Sequence, residues 1–191
     1  MGVKIVFLDI DGVLNYEDST SRNGLYLGID EKRLRQLKRI VRATGAKIVL
    51  TSTWRIFYNL DTKEQTEQTG KYLANKFRRA HLKVYGKTPD IYWAHRGDEI
   101  KAWLEEHTEV DQFVILDDEM FNGYEKYNYM QHFIKTIYRT ENEWAGLTPY
   151  LANRAIDILN GNLPETGPTI DKGFRDFCKL DTLTGWDLYR I

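Results

Sequence analysis

Three short runs of the chain are continuously apolar and rich in valine and isoleucine: "VKIVFLD" (3–9), "AKIVLTS" (46–52) and "QFVILDD" (112–118). Strands of a parallel sheet covered on both faces read this way, because neither face alternates with polar residues. Between them the period changes to that of a helix. Residues 29–44 carry Leu34, Leu37, Ile40 and Val41 at helical spacing, with Gly45 as a stop. Residues 97–107 place Ile100, Trp103 and Leu104 on one face, with Asp98 as a candidate cap. Residues 63–86 hold a stripe of Leu73, Phe77, Ala80 and Val84, read as one further helix. A weaker strand at 132–137 precedes a helix over 148–161 that opens with Pro149 and closes on Gly161. Strands alternating with helices predict an α/β fold built on a doubly wound parallel sheet.

The length, 191 residues, suits one domain. Residues 1–160 are expected to form the core, with room for a small helical insert at about 60–90. Residues 161–191 form an extension whose Phe174, Phe177, Leu180, Trp186 and Leu188 are expected to pack back on the core. A net charge of −1 gives no global signal for a nucleic-acid binder, so any basic surface is local. A single cysteine, Cys178, excludes an internal disulfide and fits a reducing compartment. No run approaches the roughly 18 apolar residues of a membrane span, and the N-terminus lacks a signal-peptide pattern. The expectation is a cytoplasmic protein with no membrane contact and no obligate protein partner.

Chemistry gathers at the strand ends. The three strong strands finish on "DIDG", "TSTWR" and "LDDE". In a parallel sheet these ends point the same way, and ligands bind in the crevice there. A lone Asp-x-Asp-Gly is a common turn, but three polar-tipped strands in this order are a stronger signal. Magnesium takes oxygen ligands, commonly one or two carboxylates plus substrate oxygens and water. Asp9 with Asp117 and Asp118 supplies such a cradle. A carboxylate at Asp9 can attack phosphorus. Asp11 can protonate a leaving group and then activate water. Gly12 lets the backbone approach phosphoryl oxygens. Thr51 and Ser52 offer hydroxyl and backbone N–H groups to the same oxygens.

These residues resemble the haloacid dehalogenase (HAD) superfamily of phosphotransferases. Asp9-Ile10-Asp11-Gly12 matches its first motif, Thr51 its second, and the pair Asp117-Asp118 its fourth. The resemblance implies a three-layer α/β/α Rossmann-like fold, Asp9 as nucleophile and Asp11 as acid/base. It implies Mg2+ held by the Asp9 carboxylate, the Asp11 carbonyl and Asp118, with Asp117 supporting. The third motif, a cation near the helix before the acidic pair, corresponds to Arg96, with Lys101 as the alternative.

Superfamily members gain specificity from caps inserted after the first or second motif. Residues 12–50 and 52–95 leave no room for a large one, so the site is expected to be capless and open, which suits bulky substrates. A finer resemblance is to small capless HAD domains associated with RNA-repair proteins. It rests on "LTSTWR", "RGDEIKAWL", "FVILDDE", "FIKT" and "GLTPYLANRAIDIL", and it covers residues 3 to about 160. Trp54, Arg55, Trp93 and His95 adjoin the motifs and can stack on a base or grip a phosphate. The basic stretch 70–88 can track a phosphate backbone or serve as a solvated helix face. The expected activity is a magnesium-dependent phosphomonoesterase working through an aspartyl-phosphate, on nucleotides or nucleic-acid 5′ or 3′ phosphate ends. The rival readings are a small-metabolite or phosphoprotein phosphatase, and a non-catalytic binding module with a relict site.

Overall fold

The computed structural model describes residues 2–61, 64–91 and 95–178. Five parallel strands form the sheet: β1 (Val3–Leu8), β4 (Lys47–Leu50), β5 (Val84–Lys87), β6 (Val110–Asp117) and β7 (Phe133–Lys135), in the order β5-β4-β1-β6-β7. A separate two-stranded hairpin, β2 (Arg22–Asn23) and β3 (Tyr26–Leu27), follows the first strand. Because side chains alternate along a strand, each strand feeds two cores. Val6, Leu8, Ile48, Leu50, Val114 and Leu116 face α1 (Glu31–Thr44), α2 (Gln68–Ala80) and α5 (Pro149–Leu159). Ile5, Phe7, Val49, Ile115 and Phe133 face α3 (Arg96–Glu106), α4 (Asn122–Lys126) and α6 (Lys172–Phe177). The result is the three-layer α/β/α arrangement with β1 at its centre.

The helix ends obey local chemistry. Asp30 caps α1 by accepting from the Lys32 and Arg33 amides at 2.8 and 3.0 Å, and Gly45 ends it at φ 70°. Thr148 caps α5 ahead of Pro149. At α3 the cap is His95. Asp98 sits three residues inside and accepts from the His95 amide at 3.2 Å, which corrects its expected place.

The stretch read as one helix over 63–86 divides. Helix α2 ends at Ala80, His81 turns left-handed at φ 58°, and Val84–Lys87 becomes the edge strand β5. Helix α2 buries Leu73 and Phe77 against the sheet, so it is the β4-to-β5 crossover and belongs to the main core. Beyond residue 160, Ile170 and Phe174 are buried and Thr169 bridges to Ile134, while Phe177 is exposed but lies against Trp144. Leu180, Trp186 and Leu188 lie outside the described residues, as does Trp93. No helix among the described residues is long and apolar enough to cross a membrane.

Candidate active site

In this strand order the chain runs outward from β1 in one direction and then returns to β6 on its other side. The crevice between the ends of β1 and β6 is the switch point of the sheet. Asp9 follows β1 there, and Asp117 closes β6. Carboxylate oxygens of Asp9, Asp117 and Asp118 all lie within 4.8 Å of one another. Asp9 and Asp117 are buried and Asp118 is half-buried.

One guanidinium holds this cluster together. Arg96 Nη1, at the first residue of α3, donates to Asp9 Oδ1 at 2.7 Å and to Asp117 Oδ2 at 2.6 Å. Asp117 also accepts from the buried Tyr124 hydroxyl at 3.1 Å and from the Glu119 amide at 3.0 Å. Buried Lys135, at the end of β7, donates from Nζ to the Asp118 carbonyl at 2.5 Å. Burial, reinforced by Asp117 and opposed by Arg96, drives the Asp9 carboxyl well above the ordinary carboxylate range. Burial and then Asp117 and Glu119 push Asp118 up to about 7. Ionising all the acids of this cluster together is therefore unfavourable unless further positive charge is supplied.

That charge pattern fits a hard divalent cation: three converging carboxylates are oxygen donors whose mutual repulsion such an ion relieves. The space is also kept clear. Gly12 adopts φ 79°, and a Cβ there would lie 2.2 Å from Asp118 Cγ. No side chain can occupy that position without displacing the acid.

Asp11 is exposed at the rim and held by two groups. Asn15 Nδ2 donates to its Oδ1 at 2.7 Å, and Trp54 Nε1 donates to its Oδ2 at 2.8 Å. Trp54 is buried, so it presents its indole N–H to Asp11 rather than an open stacking face. Thr51 and Ser52 are buried at the end of β4, and both amides donate to the Leu8 carbonyl, so these two N–H groups are engaged within the sheet. The Thr51 hydroxyl is buried and has no hydrogen-bond partner among the described residues. The Ser52 hydroxyl caps the 3-10 turn Thr53–Ile56.

Three other expected site residues are employed elsewhere. Arg55 is buried and donates to the Thr51 carbonyl at 2.5 Å and to Glu99 Oε1 at 2.7 Å, pinning the β4 loop to α3. Both terminal nitrogens are engaged in this way, while Nε is buried with no hydrogen-bond partner among the described residues. Lys101 lies one turn into α3, pairs with Glu105 and sits over the Tyr127 ring, so Arg96 alone of the two candidate cations meets the carboxylates. His95 is exposed at the α3 cap and lines neither the acidic cleft nor the groove beside it. The basic stretch is likewise divided. Lys76 pairs with Glu31, Lys87 Nζ is absorbed by the Arg55 and Tyr58 carbonyls, and Arg78 and Arg79 lie in the last turn of α2.

Several groups around the site escaped the sequence reading. Asn15, Tyr124 and Lys135 carry no motif. Lys135 did have a signal, a lone lysine closing the apolar "FIK" strand. The hairpin had a better one, Gly24 as the first residue of the two-residue loop Gly24-Leu25, where a glycine suits the positive φ of 63°.

The family described as "HAD domain in Swiss Army Knife RNA repair proteins" matches residues 5–143. No curated protein matches the chain. Among solved structures, one assigned to the HAD superfamily (subfamily III A) hydrolases, from Legionella pneumophila, aligns over 84% of each chain at 11% identity, with a TM-score of 0.44. That likeness is too loose to bear on activity. The family match spans well over half of the chain, and the chain belongs to the HAD domain family of Swiss Army Knife RNA repair proteins.

Proposed function

We propose that the protein is a magnesium-dependent phosphomonoesterase acting through Asp9, with a nucleotide or a nucleic-acid phosphate end as substrate. The observation that carries this is the joint placement of two kinds of carboxylate. Asp9 lies in a buried acidic cluster clamped by Arg96, and Asp11 stands at its exposed rim with both oxygens already oriented.

The chemistry divides between them. Asp9 Oδ attacks phosphorus as the bond to the leaving oxygen breaks, and the Asp11 carboxylic acid gives its proton to that oxygen. The resulting acyl phosphate on Asp9 is then cleaved by water, whose proton returns to Asp11, and phosphate departs. Arg96 stays beside the transferring group, where a fixed cation offsets its charge. Asp9, the Asp11 carbonyl and Asp118, with Asp117 supporting, would hold a magnesium ion, which would supply further positive charge against the phosphoryl group. The nucleic-acid part of the reading is supported by the family's association with RNA repair.

The test is phosphate release, with magnesium present, from an aryl phosphate and from 5′- and 3′-phosphorylated nucleotides and oligonucleotides. Release is expected from the nucleotide set and lost in Asp9→Asn. No release above the Asp9→Asn background from any of them would overturn the reading. Preference for sugar phosphates or phosphopeptides would keep the chemistry and replace the substrate.

A further inference from the structure

Beside the acidic cleft lies a second concavity, a groove of about 660 Å³. The two share Asp11, Thr53 and Tyr138, so they meet at the residue placed to protonate a leaving group. Three elements build the groove. The hairpin contributes Asn23 and Tyr26, the 3-10 turn and the residue after it contribute Trp54 and Phe57, and the start of α2 contributes Gln68. The hairpin is fastened to α2: the Tyr72 hydroxyl accepts from the Ile29 amide at 2.9 Å and lies 3.3 Å from the Ser21 hydroxyl, and Asn23 Nδ2 donates to Thr69 Oγ1 at 3.2 Å.

We infer that this groove binds the leaving group, and that it takes a single nucleoside, the one bearing the scissile phosphate. The inference rests on the assignment of Asp11 as acid, because that residue joins the two concavities. Two aromatic rings from different elements stay accessible: Tyr26 is 75% exposed and Phe57 46% exposed. Flat faces of this kind stack on any base. The exposed Gln68 amide offers a donor and an acceptor to a base edge. Among the described residues the lining contains acids, Asp11 and Glu67, and no lysine, arginine or histidine. A second phosphate would find no cation among those lining residues. On α2, Lys71 lies one turn from Gln68 but outside the groove lining, and Arg78 and Arg79 sit about ten residues from the groove end, roughly 15 Å along the axis at 1.5 Å per residue. The groove therefore reads the terminal nucleoside and leaves the rest of a strand in solvent.

The test uses unphosphorylated ligands and so does not depend on turnover. Adenosine, uridine, ribose and the dinucleoside monophosphate ApA are titrated into the full chain, followed by calorimetry or amide NMR. Adenosine and uridine are expected to saturate while ribose does not. ApA is expected to bind within about threefold of adenosine, with little dependence on salt, because phosphate contacts would make binding steeply salt-dependent. Loss of one stacking ring in Tyr26→Ala or Phe57→Ala is expected to weaken nucleosides by roughly 5- to 100-fold. Phe57→Leu keeps apolar bulk and should show the same loss, which separates stacking from folding. Nucleosides binding no better than ribose, or all three variants binding as the wild type does, would overturn the inference. So would ApA binding far more tightly with a steep salt slope, or tyrosine amide binding in place of nucleosides. Nucleoside binding without any phosphate release would sink the proposed activity and leave the groove standing; release without nucleoside binding would do the reverse.

Discussion

Replacing Arg96 by methionine removes the cation that bridges Asp9 and Asp117 while keeping most of the apolar stem. The guanidinium is largely buried, with 13% of its side chain exposed, against 8% for Asp9 and 1% for Asp117. Breaking such a pair leaves uncompensated buried charge and costs about 3–5 kcal/mol. For a protein of this size each kcal/mol moves the melting temperature by about 2–4 °C, so a fall of roughly 6–20 °C is expected at pH 7 without metal. The pH dependence is the sharper readout. The folded-state pKa of Asp9 lies above its unfolded value, so folded protein binds the extra proton and stability falls as pH rises from about 4 towards the folded pKa. Arg96 limits that fall, because its charge favours the ionised carboxyl. Removing it should enlarge the decline, and the difference between variant and wild type should be smaller near pH 4.5 than at pH 7. Magnesium should also raise the melting temperature of the variant more than that of the wild type, since ligand binding stabilises by mass action. Thermal unfolding at both pH values, with and without magnesium, gives all three numbers. A variant as stable as wild type at pH 7, or equally destabilised at both pH values, would refute the reasoning.

Trp54→Phe removes the N–H that holds Asp11 Oδ2. General acid catalysis is worth about 10²–10⁴, so partial misplacement should lower kcat by about 10-fold for a nucleotide with a poor leaving group. It should have far less effect on an activated aryl phosphate, whose departure needs no proton. Equal losses on both substrates would count against Asp11 as the acid. Magnesium binding should weaken as pH drops below about 7, because Asp118 then takes up a proton that competes with the metal; calorimetric titrations at pH 6 and 8 that agree would show that Asp118 is not a ligand. Glu99→Gln strips the buried partner from Arg55 and should cost about 2–4 kcal/mol in denaturant unfolding, with loss of activity following loss of fold. A stability change within 0.5 kcal/mol would contradict the role given to Arg55 in pinning the β4 loop.

The sheet centre was legible because β1, β4 and β6 are apolar on both faces, which no helix period imitates. The edge strand β5 was not. Val84 stands four residues after Ala80 and extended the α2 stripe, although in the fold it follows a left-handed residue and a new direction of chain. Its pattern "VYGK" buries Val84 and Gly86 and exposes Tyr85, too weak an alternation to outweigh that coincidence. The carboxylates were legible because strand-end acids have few structural uses. Their partners were not, since sequence shows a side chain's capacity and not who consumes it. Arg55 and Arg96 look alike as letters near motifs, yet one is spent on Thr51 and Glu99 and the other on Asp9 and Asp117. Only the fold makes that difference.

The Arg96 clamp also has a consequence in time. Its bond to Asp9 joins residues 87 apart in the chain, so loop-closure entropy must be overcome before the contact can form. Both β6 and α3 have to dock on β1 before the guanidinium meets its carboxylates. During refolding, recovery of the site should lag behind collapse of the sheet, and a chain released before residue 117 cannot assemble it.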